Sequence, residues 1–388
     1  MSGTDVVRRL NTQSVLDAVL DTGRCSGADL MARTGLSRPT VHALCDDLIG
    51  RGWLVEPPRP DAARPGRPAR IYAPRPGAGF VLGVDMGATS VRAAVADLGG
   101  AVAGEAGAVF AHEHVAAPDR LALTRETCLR ALDAAGAAPE QLLGAVLGVP
   151  APVDAIGRAG ADEDYLPGLA ALDLRTALAP AVAVAVVEND ANLAVVAERW
   201  RGVARGVDDV VLVLAGERLG AGVCLGGRIV RGHRGGVGEM GFLDLVDGVG
   251  GTAAIGNLAR RWGSAELGRT VRAEQVVAAA AAGDAAARGV LDAVARRIAR
   301  ALAVLATLLD PELLVVGGAV AAAGDVLLTP LRREVARVAE RPVRLAASAL
   351  ADRGVLLGAV RVALDDVRPR LLDLRPTPVS STRPAVGR

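Results

Sequence analysis

The residues best suited to chemistry gather in a few short Gly-rich segments. Asp85-Met86-Gly87-Ala88-Thr89 lies between two apolar runs, so small residues, backbone N–H groups and a hydroxyl converge where a phosphate could lie. Asp85 could orient a metal or a water there. Asn189-Asp190-Ala191-Asn192 closes another apolar run, and an amide–carboxylate pair between a strand and a helix suits ligand contacts. Asp190 is the one candidate general base this placement offers, and helix capping is the competing explanation for it. Residues 216–222 and 235–241 supply further Gly-rich turns, the first with Gly216 and Gly220, the second with Glu239. Gly317-Gly318 ends a later strand in a turn of the kind used at an adenosine.

A second group of polar residues lies near the N-terminus, where the elements that position it can be read from spacing. Val15, Leu16, Val19 and Leu20 predict a first helix over residues 11–20, broken by Gly23. Ser26 caps a short second helix that stops at Thr34-Gly35, with Gly35 suited to a left-handed turn. Ser37 then caps a third helix with Pro39 in its first turn. Val41, Leu44, Cys45 and Leu48 form its buried stripe, leaving Arg38, Thr40, His42 and Asp46 outside. This is the spacing of a DNA-reading helix-turn-helix. Residues 53–56 and 69–73 read as two strands of a wing, joined by a Pro-rich loop with Arg64 and Arg67. Such arms suit a narrow minor groove, although a plain Pro/Arg-rich linker has the same composition. Ser37, Arg38, Thr40, His42, Arg64 and Arg67 are the candidate DNA contacts.

The rest of the chain builds the Gly-rich turns into two halves. Residues 80–84 and 91–97 form a strand–turn–strand unit around Asp85, and residues 210–214 and 221–229 repeat that pattern. Two hairpin-started halves with Gly-rich loops facing a cleft describe an α/β actin-like, ribonuclease H-like fold of the two-lobed sugar-kinase type. The expected organisation is an N-terminal all-α winged helix-turn-helix over 1–76 and a domain over 77–366 to which the resemblance to a known family assigns effector binding and oligomerisation. The lobes of that domain fall near 77–190 and 191–350, and a basic tail over 367–388 reads as disordered.

Charge and composition set limits. The net charge of +1 conceals 11 arginines against 8 acidic residues in 1–76, 28 against 34 in 77–366, and 5 against 1 in 367–388. A basic end on an acidic body fits an anionic partner for the first segment, although a solvated basic loop would look the same by charge alone. All the cationic side chains are arginine, a coding bias that makes their positions more informative than their number. Although 51% of residues are hydrophobic, the apolar runs fall far short of the roughly 20 residues that span a bilayer. The first ten residues have no signal-peptide pattern, and Cys25, Cys45, Cys128 and Cys224 are scattered. A cytoplasmic, reduced protein is expected.

These pieces together resemble the ROK family of sugar-responsive repressors and sugar kinases. The resemblance is carried by Gly35-Leu36-Ser37, Gly66-Arg67-Pro68, Asp85-x-Gly87-x-Thr89, Asn189-Asp190-Ala191-Asn192, Gly238-Glu239-x-Gly241, Asp310-Pro311-Glu312 and Gly317-Gly318. It covers residues 8–364 and implies a sugar pocket that includes Gly168, Asn189, Asp190 and Glu239. It also implies phosphate loops at Asp85, Gly87, Thr89, Gly216, Gly220, Gly317 and Gly318. The departures are as informative. Where family kinases are similar in a G-T-G-x-G-x-G loop, this chain has Gly216-Glu217-Arg218-Leu219-Gly220-Ala221-Gly222. A carboxylate beside the phosphates repels nucleotide, and a side chain on a glycine position obstructs it. Arg218 neutralising a phosphate is the opposing possibility. The family's zinc motif is missing, with Phe242 at the His position and residues 248–252 where the cysteines belong. His112, His114 and His233 lie in other elements and give little support for a substitute site. Tyr165-Leu166-Pro167-Gly168-Leu169 and Ala254 mark further erosion of the sugar contacts.

The resemblance therefore implies a DNA-binding transcriptional regulator, a repressor responsive to a sugar or sugar-derived effector. No metal and no cofactor are expected, and Asp190 is a vestigial catalytic candidate in a protein that is not an enzyme. Its expected partners are double-stranded operator DNA, a sugar-type effector and further copies of itself as a homodimer or tetramer, with no membrane. An ATP-dependent sugar kinase with an accessory DNA-binding domain is the alternative, and an effector-independent regulator a second.

Overall fold

Gly, Pro and the capping residues divide the N-terminal segment much as the spacing predicts. The computed structural model describes residues 3–58, 69–112, 115–160, 166–178, 182, 184–318, 321 and 323–377. Helix α1 (Gly3–Thr22) is followed by β1 (Cys25–Ser26), α2 (Gly27–Thr34), α3 (Arg38–Gly50), β2 (Leu54–Val55) and β3 (Ile71–Pro74). Ser26 and Asp29 form a reciprocal capping box on α2, and Gly35 ends that helix at φ 69°. The strands make a small antiparallel sheet in the order β1-β3-β2, which adds a wing to the helices.

Helix α1 begins about two turns earlier than its apolar periodicity predicts. Val6, Val7 and Leu10 in that extension are exposed, so no buried stripe announces it. It is tied down by an ion pair between Arg9 and Asp373, 2.7 Å from Nη1 to Oδ1.

The body consists of two five-stranded sheets with the same plan. The first contains β4 (Phe80–Met86), β5 (Ser90–Asp97), β6 (Val102–Val109), β7 (Leu142–Val149) and β8 (Ala185–Asn189), in the order β6-β5-β4-β7-β8. Helix α4 (Ala117–Ala134) covers one face. The second contains β9 (Val210–Ala215), β10 (Leu219–Leu225), β11 (Arg228–Ile229), β12 (Leu313–Gly317) and β13 (Arg344–Ala347), in the order β11-β10-β9-β12-β13. In both, a hairpin-paired half is antiparallel and the last two strands run parallel to the hairpin's first strand. Helices α6 (Ile255–Glu266), α7 (Ala273–Ala281), α8 (Ala285–Leu309) and α9 (Asp325–Val338) share the second sheet's core.

Helix α5 (Asp190–Arg201) starts at the end of β8 and packs on β7 and β8 of the first sheet, on the β9–β10 hairpin of the second, and on α10 (Gly354–Val367). Helix α10 returns to the first sheet. Gly83 of β4 and Gly358 of α10 permit this, because a Cβ on Gly83 would lie 2.7 Å from the Val360 nitrogen and one on Gly358 1.9 Å from the Leu193 oxygen.

The segment from 367 onward, expected to be disordered, is ordered through Thr377. Arg368–Asp373 form 3-10 turns that bury Arg368 and Leu371. Leu371 belongs to one continuous core with Val15, Leu16, Trp53 and Tyr72 of the N-terminal unit and Leu364 and Val367 of α10. Composition alone suggested a tail because it could not show this docking surface. Residues 378–388 lie outside the described residues.

Candidate DNA-facing surface and ligand cleft

On the N-terminal unit, Val41, Leu44, Cys45 and Leu48 are buried, and Ser37 and Arg38 are exposed at the start of α3. Ser37 occupies the N-cap position, but its hydroxyl pairs with the Thr40 hydroxyl at 2.8 Å instead of capping the backbone. His42 and Asp46 do not stand free on the outer face as expected. His42 is half-buried with Nδ1 2.5 Å from the Tyr72 hydroxyl, so it faces the wing. Asp46 accepts from Arg70 at 2.6 Å, and Arg70 also donates to Glu56 at 3.1 Å. The Arg70 hydrogen bond holds the Asp46 carboxyl below its ordinary range. Helical periodicity placed His42 and Asp46 outside; Asp46 is exposed, though paired with Arg70, while Tyr72 of β3 half-covers His42. Arg64 and Arg67 lie outside the described residues.

In the body, Asp85 is the last residue but one of β4, and Gly87 closes the hairpin by donating to the Ser90 carbonyl at 2.9 Å. Arg120 of α4 is buried behind this turn. It donates to the Gly87 and Ala88 carbonyls at 2.8 and 2.9 Å, and its guanidinium lies 4.3 Å from the Phe110 ring centroid. Nothing in local spacing linked Arg120 to a turn more than thirty residues away. Thr89 is exposed at the tip.

Asn189, not Asp190, caps α5: its oxygen accepts from the Asn192 N–H at 3.1 Å, and its amide donates to the Ala151 carbonyl at 3.1 Å. Asp190 begins the helix, and one oxygen accepts from the Ala191 N–H at 2.7 Å. Burial first, then the neighbouring charges of Asp85 and Glu239, push its carboxyl up to about 8. Burial likewise pushes Asp85 up to about 6, with Arg92 opposing and Asp352 reinforcing the rise. Asp190 thus faces the charges of both Asp85 and Glu239 in the cleft. Gly235 and Gly238 bring the Glu239 loop this close, since a Cβ on either would fall within 2 Å of the Val153 or Ala221 oxygen. Gly168 sits in a left-handed turn at φ 73° beside Ala117 at the start of α4.

A residue missed in the sequence lies at the base of the cleft. Glu188 is buried and accepts from the Asn189 N–H and the Asn192 amide, both at 2.9 Å. Its other oxygen pairs with Arg231 at 2.7 Å, joining the first sheet to the loop after β11.

Gly216 and Gly318 lie side by side, with the Gly216 nitrogen 3.8 Å from where a Gly318 Cβ would stand. The next residue, Glu217, is tied to α6 through one carboxylate oxygen. Its carboxylate accepts from Asn257 at 3.1 Å and Arg260 at 2.5 Å, in the first turns of α6. The backbone is stitched as well, with Leu219 donating to Thr252 at 2.8 Å and Ala254 to Glu217 at 3.1 Å. A helix N-terminus favours an anion, and here the chain supplies its own.

The loop at 247–251 is held by α8. Arg300 donates to the Asp247 carbonyl at 2.7 Å, and Arg297 to the Gly250 and Gly251 carbonyls at 3.3 and 3.1 Å. Phe242 packs against the second core. All four cysteines are free and buried in other elements, and among the described residues no three His, Cys, Asp or Glu side chains are placed to share a metal ion. Among the same residues no helix is long and apolar enough to cross a membrane.

With this geometry, the comparison with known proteins is decisive at the family level: the ROK family description matches residues 81–366. The chain belongs to the ROK family. A MarR family description matches residues 14–65, the helix-turn-helix and most of the Pro-rich segment after it. Over nearly its whole length the ROK chain is similar to the xylose repressor of Caldicellulosiruptor bescii, with 23% identity covering 95% of this chain and 98% of that one. It is also similar to the glucokinase of Halalkalibacterium halodurans, with 31% identity over 38% of this chain and 52% of the kinase. A solved ROK family transcriptional regulator, a homologue of the E. coli MLC protein, shares the fold with a TM-score of 0.72 and 20% identity. That match covers 95% of this chain and 98% of the other.

Proposed function

We propose that this ROK-family chain is a transcriptional repressor that binds operator DNA through its winged helix and releases or grips it in response to a sugar-type effector in the cleft. The observation that carries this reading is the fusion of the winged unit to the two-lobed body through one continuous core. The C. bescii xylose repressor, similar from end to end, is organised to the same length.

The first turn of α3 carries the DNA-facing residues. Ser37 and Arg38 are its exposed polar positions, with Thr40 partly covered, and Arg64 and Arg67 in the wing loop add minor-groove contacts. His42 serves as a support for the wing. One helix-turn-helix contacts few bases, so specific affinity requires two half-sites and a symmetric oligomer, a dimer or a tetramer.

In the cleft, Asn189, Asp190 and Glu239 offer the convergent acceptors and amide that grip hydroxyl groups, and Gly168 contributes backbone. Phosphoryl transfer is disfavoured because Glu217 on Asn257 and Arg260 puts a fixed negative charge at the α6 N-terminus where nucleotide phosphates would need to lie. The kinase reading retains one specific support, the adjacency of Gly216 and Gly318 with open space above Gly216. A sugar panel separates the two. Under the repressor reading, a sugar that raises Tm also shifts a gel-retardation titration with the chain's own upstream DNA, and Arg38→Ala abolishes retention. ATP-dependent turnover of that sugar, lost in Asp190→Asn, would overturn the non-enzymatic reading.

A further inference from the structure

We propose that α10 and its 3-10 extension form a strut that fixes the orientation of the DNA-binding unit to the cleft, with Arg368 as the positioning residue that latches it. It extends the repressor reading, and its mechanical content is independent of any ligand.

The cleft end of the strut is set by backbone contact. Asp85 lies at the end of β4 and Asp190 at the start of α5, and both elements pack on α10 at glycines. Gly83 lets the β4 backbone approach Val360, and Gly358 lets α10 approach the Leu193 carbonyl, each closer than a Cβ would allow. Contacts of this kind have no flexible side chain to absorb a shift, so a movement of β4 or α5 displaces α10 as a body.

The far end runs into the DNA-binding unit without an intervening loop. Val367 ends α10, and Arg368 continues at φ −53°, ψ −44°. The Arg368 guanidinium, 11% exposed, donates to the Leu98 carbonyl at 3.2 and 2.9 Å and to Asp21 of α1 at 2.6 Å. Its own carbonyl accepts from Gln13 of α1 at 3.0 Å. One residue therefore grips the β5–β6 turn of the body and two turns of α1 together. Leu371 is fully buried beside them, Arg9 pairs with Asp373, and the Thr377 N–H bonds the Ala78 carbonyl at 3.0 Å at the domain junction. Arg75 donates to the Thr377 carbonyl at 2.5 Å. A planar guanidinium that reaches a carbonyl and a carboxylate together fixes an angle as well as a distance, which a lysine would not do.

The strut predicts that the DNA-binding unit and the body unfold as one cooperative block and that Arg368 is what joins them. The test is scanning calorimetry and amide exchange on the full chain, without DNA or ligand. Wild-type protein should give a single transition. In Arg368→Ala the unit should melt ahead of the body as a separate transition, and amides of α1 and α3 should exchange at least tenfold faster while those of α8 stay within twofold. Asp21→Asn, which removes one grip only, should give an intermediate increase and covers the case in which Arg368→Ala folds poorly. Unsplit melting with unchanged α1 exchange in both variants would overturn the proposal. So would equal acceleration in α1 and α8, because Arg368 would then be a general stabiliser. Failure here leaves the repressor reading standing, since DNA retention is measured separately.

Discussion

The two sheets share one strand order, yet their hairpin turns have been put to different uses. In the first, the turn after Asp85 is held from behind, its carbonyls bonded by the buried Arg120, with Thr89 exposed at the tip. In the second, the turn after Gly216 is held from the front by its own Glu217 carboxylate on α6. Support from behind leaves the tip of the first turn exposed, whereas the second turn is tied through Glu217 to α6 beside the open space at Gly216. Matching places in one strand order can therefore be held by different side chains, and topology alone does not give a site's chemistry.

The largest expected effect breaks the first turn. Arg120→Met removes a buried guanidinium and leaves the Gly87 and Ala88 carbonyls without their donor, which should cost about 3 kcal/mol. Thermal denaturation should show a drop in Tm, with amide exchange rising first in β4 and β5. Unchanged stability would mean that the turn stands without its support.

The next acts on the carboxyls the first turn faces. Asp190 rises from an ordinary value of 3.8 to about 8, so the folded chain holds a proton that the unfolded chain gives up. The resulting cost is absent below pH 4, grows as pH rises and is complete above pH 8. Asp190→Asn should thus raise stability on the order of 2 kcal/mol at pH 8 to 9, less than the full shift because Asp85 titrates with it, and by nothing near pH 4. Denaturant titrations at both pH values measure it, and a pH-independent difference would contradict the burial argument.

The smallest effect on stability sharpens the second turn. The Glu217–Arg260 pair is 42% and 43% exposed, so its loss should cost less than about 1 kcal/mol. Glu217→Ala should nevertheless gain affinity for pyrophosphate or Mg-ATP, seen in isothermal titration at low salt. If neither binds more tightly to the variant, Glu217 is not what excludes phosphate.

Much of this was legible in the sequence. Ser26, Gly35 and Pro39 act through bonds within a few residues, so α2, its turn and the start of α3 follow from local chemistry. The two hairpins with their Gly turns were equally readable, and Glu217 already stood out as a charge on a glycine-rich loop. What remained hidden depends on long-range partners. His42 looked outward until β3 supplied Tyr72, capping competed with ligand contact as the role of Asp190 until Asn189 took the cap, and Glu188 looked like an ordinary strand end until Arg231 arrived. Arg120 and Arg368 were lost in a chain whose every cation is arginine, where number conveys little and only placement distinguishes a structural guanidinium from a solvated one.

The docking of Arg368 through Thr377 on α1 also bears on the order of events at the ribosome. Residues 3–75 emerge some three hundred residues before the segment that seats them, so the helix-turn-helix can form early from its local caps while its orientation waits for translation to reach α10. Until α10 and its 3-10 extension are made, the helix-turn-helix lacks the partners that fix its aim.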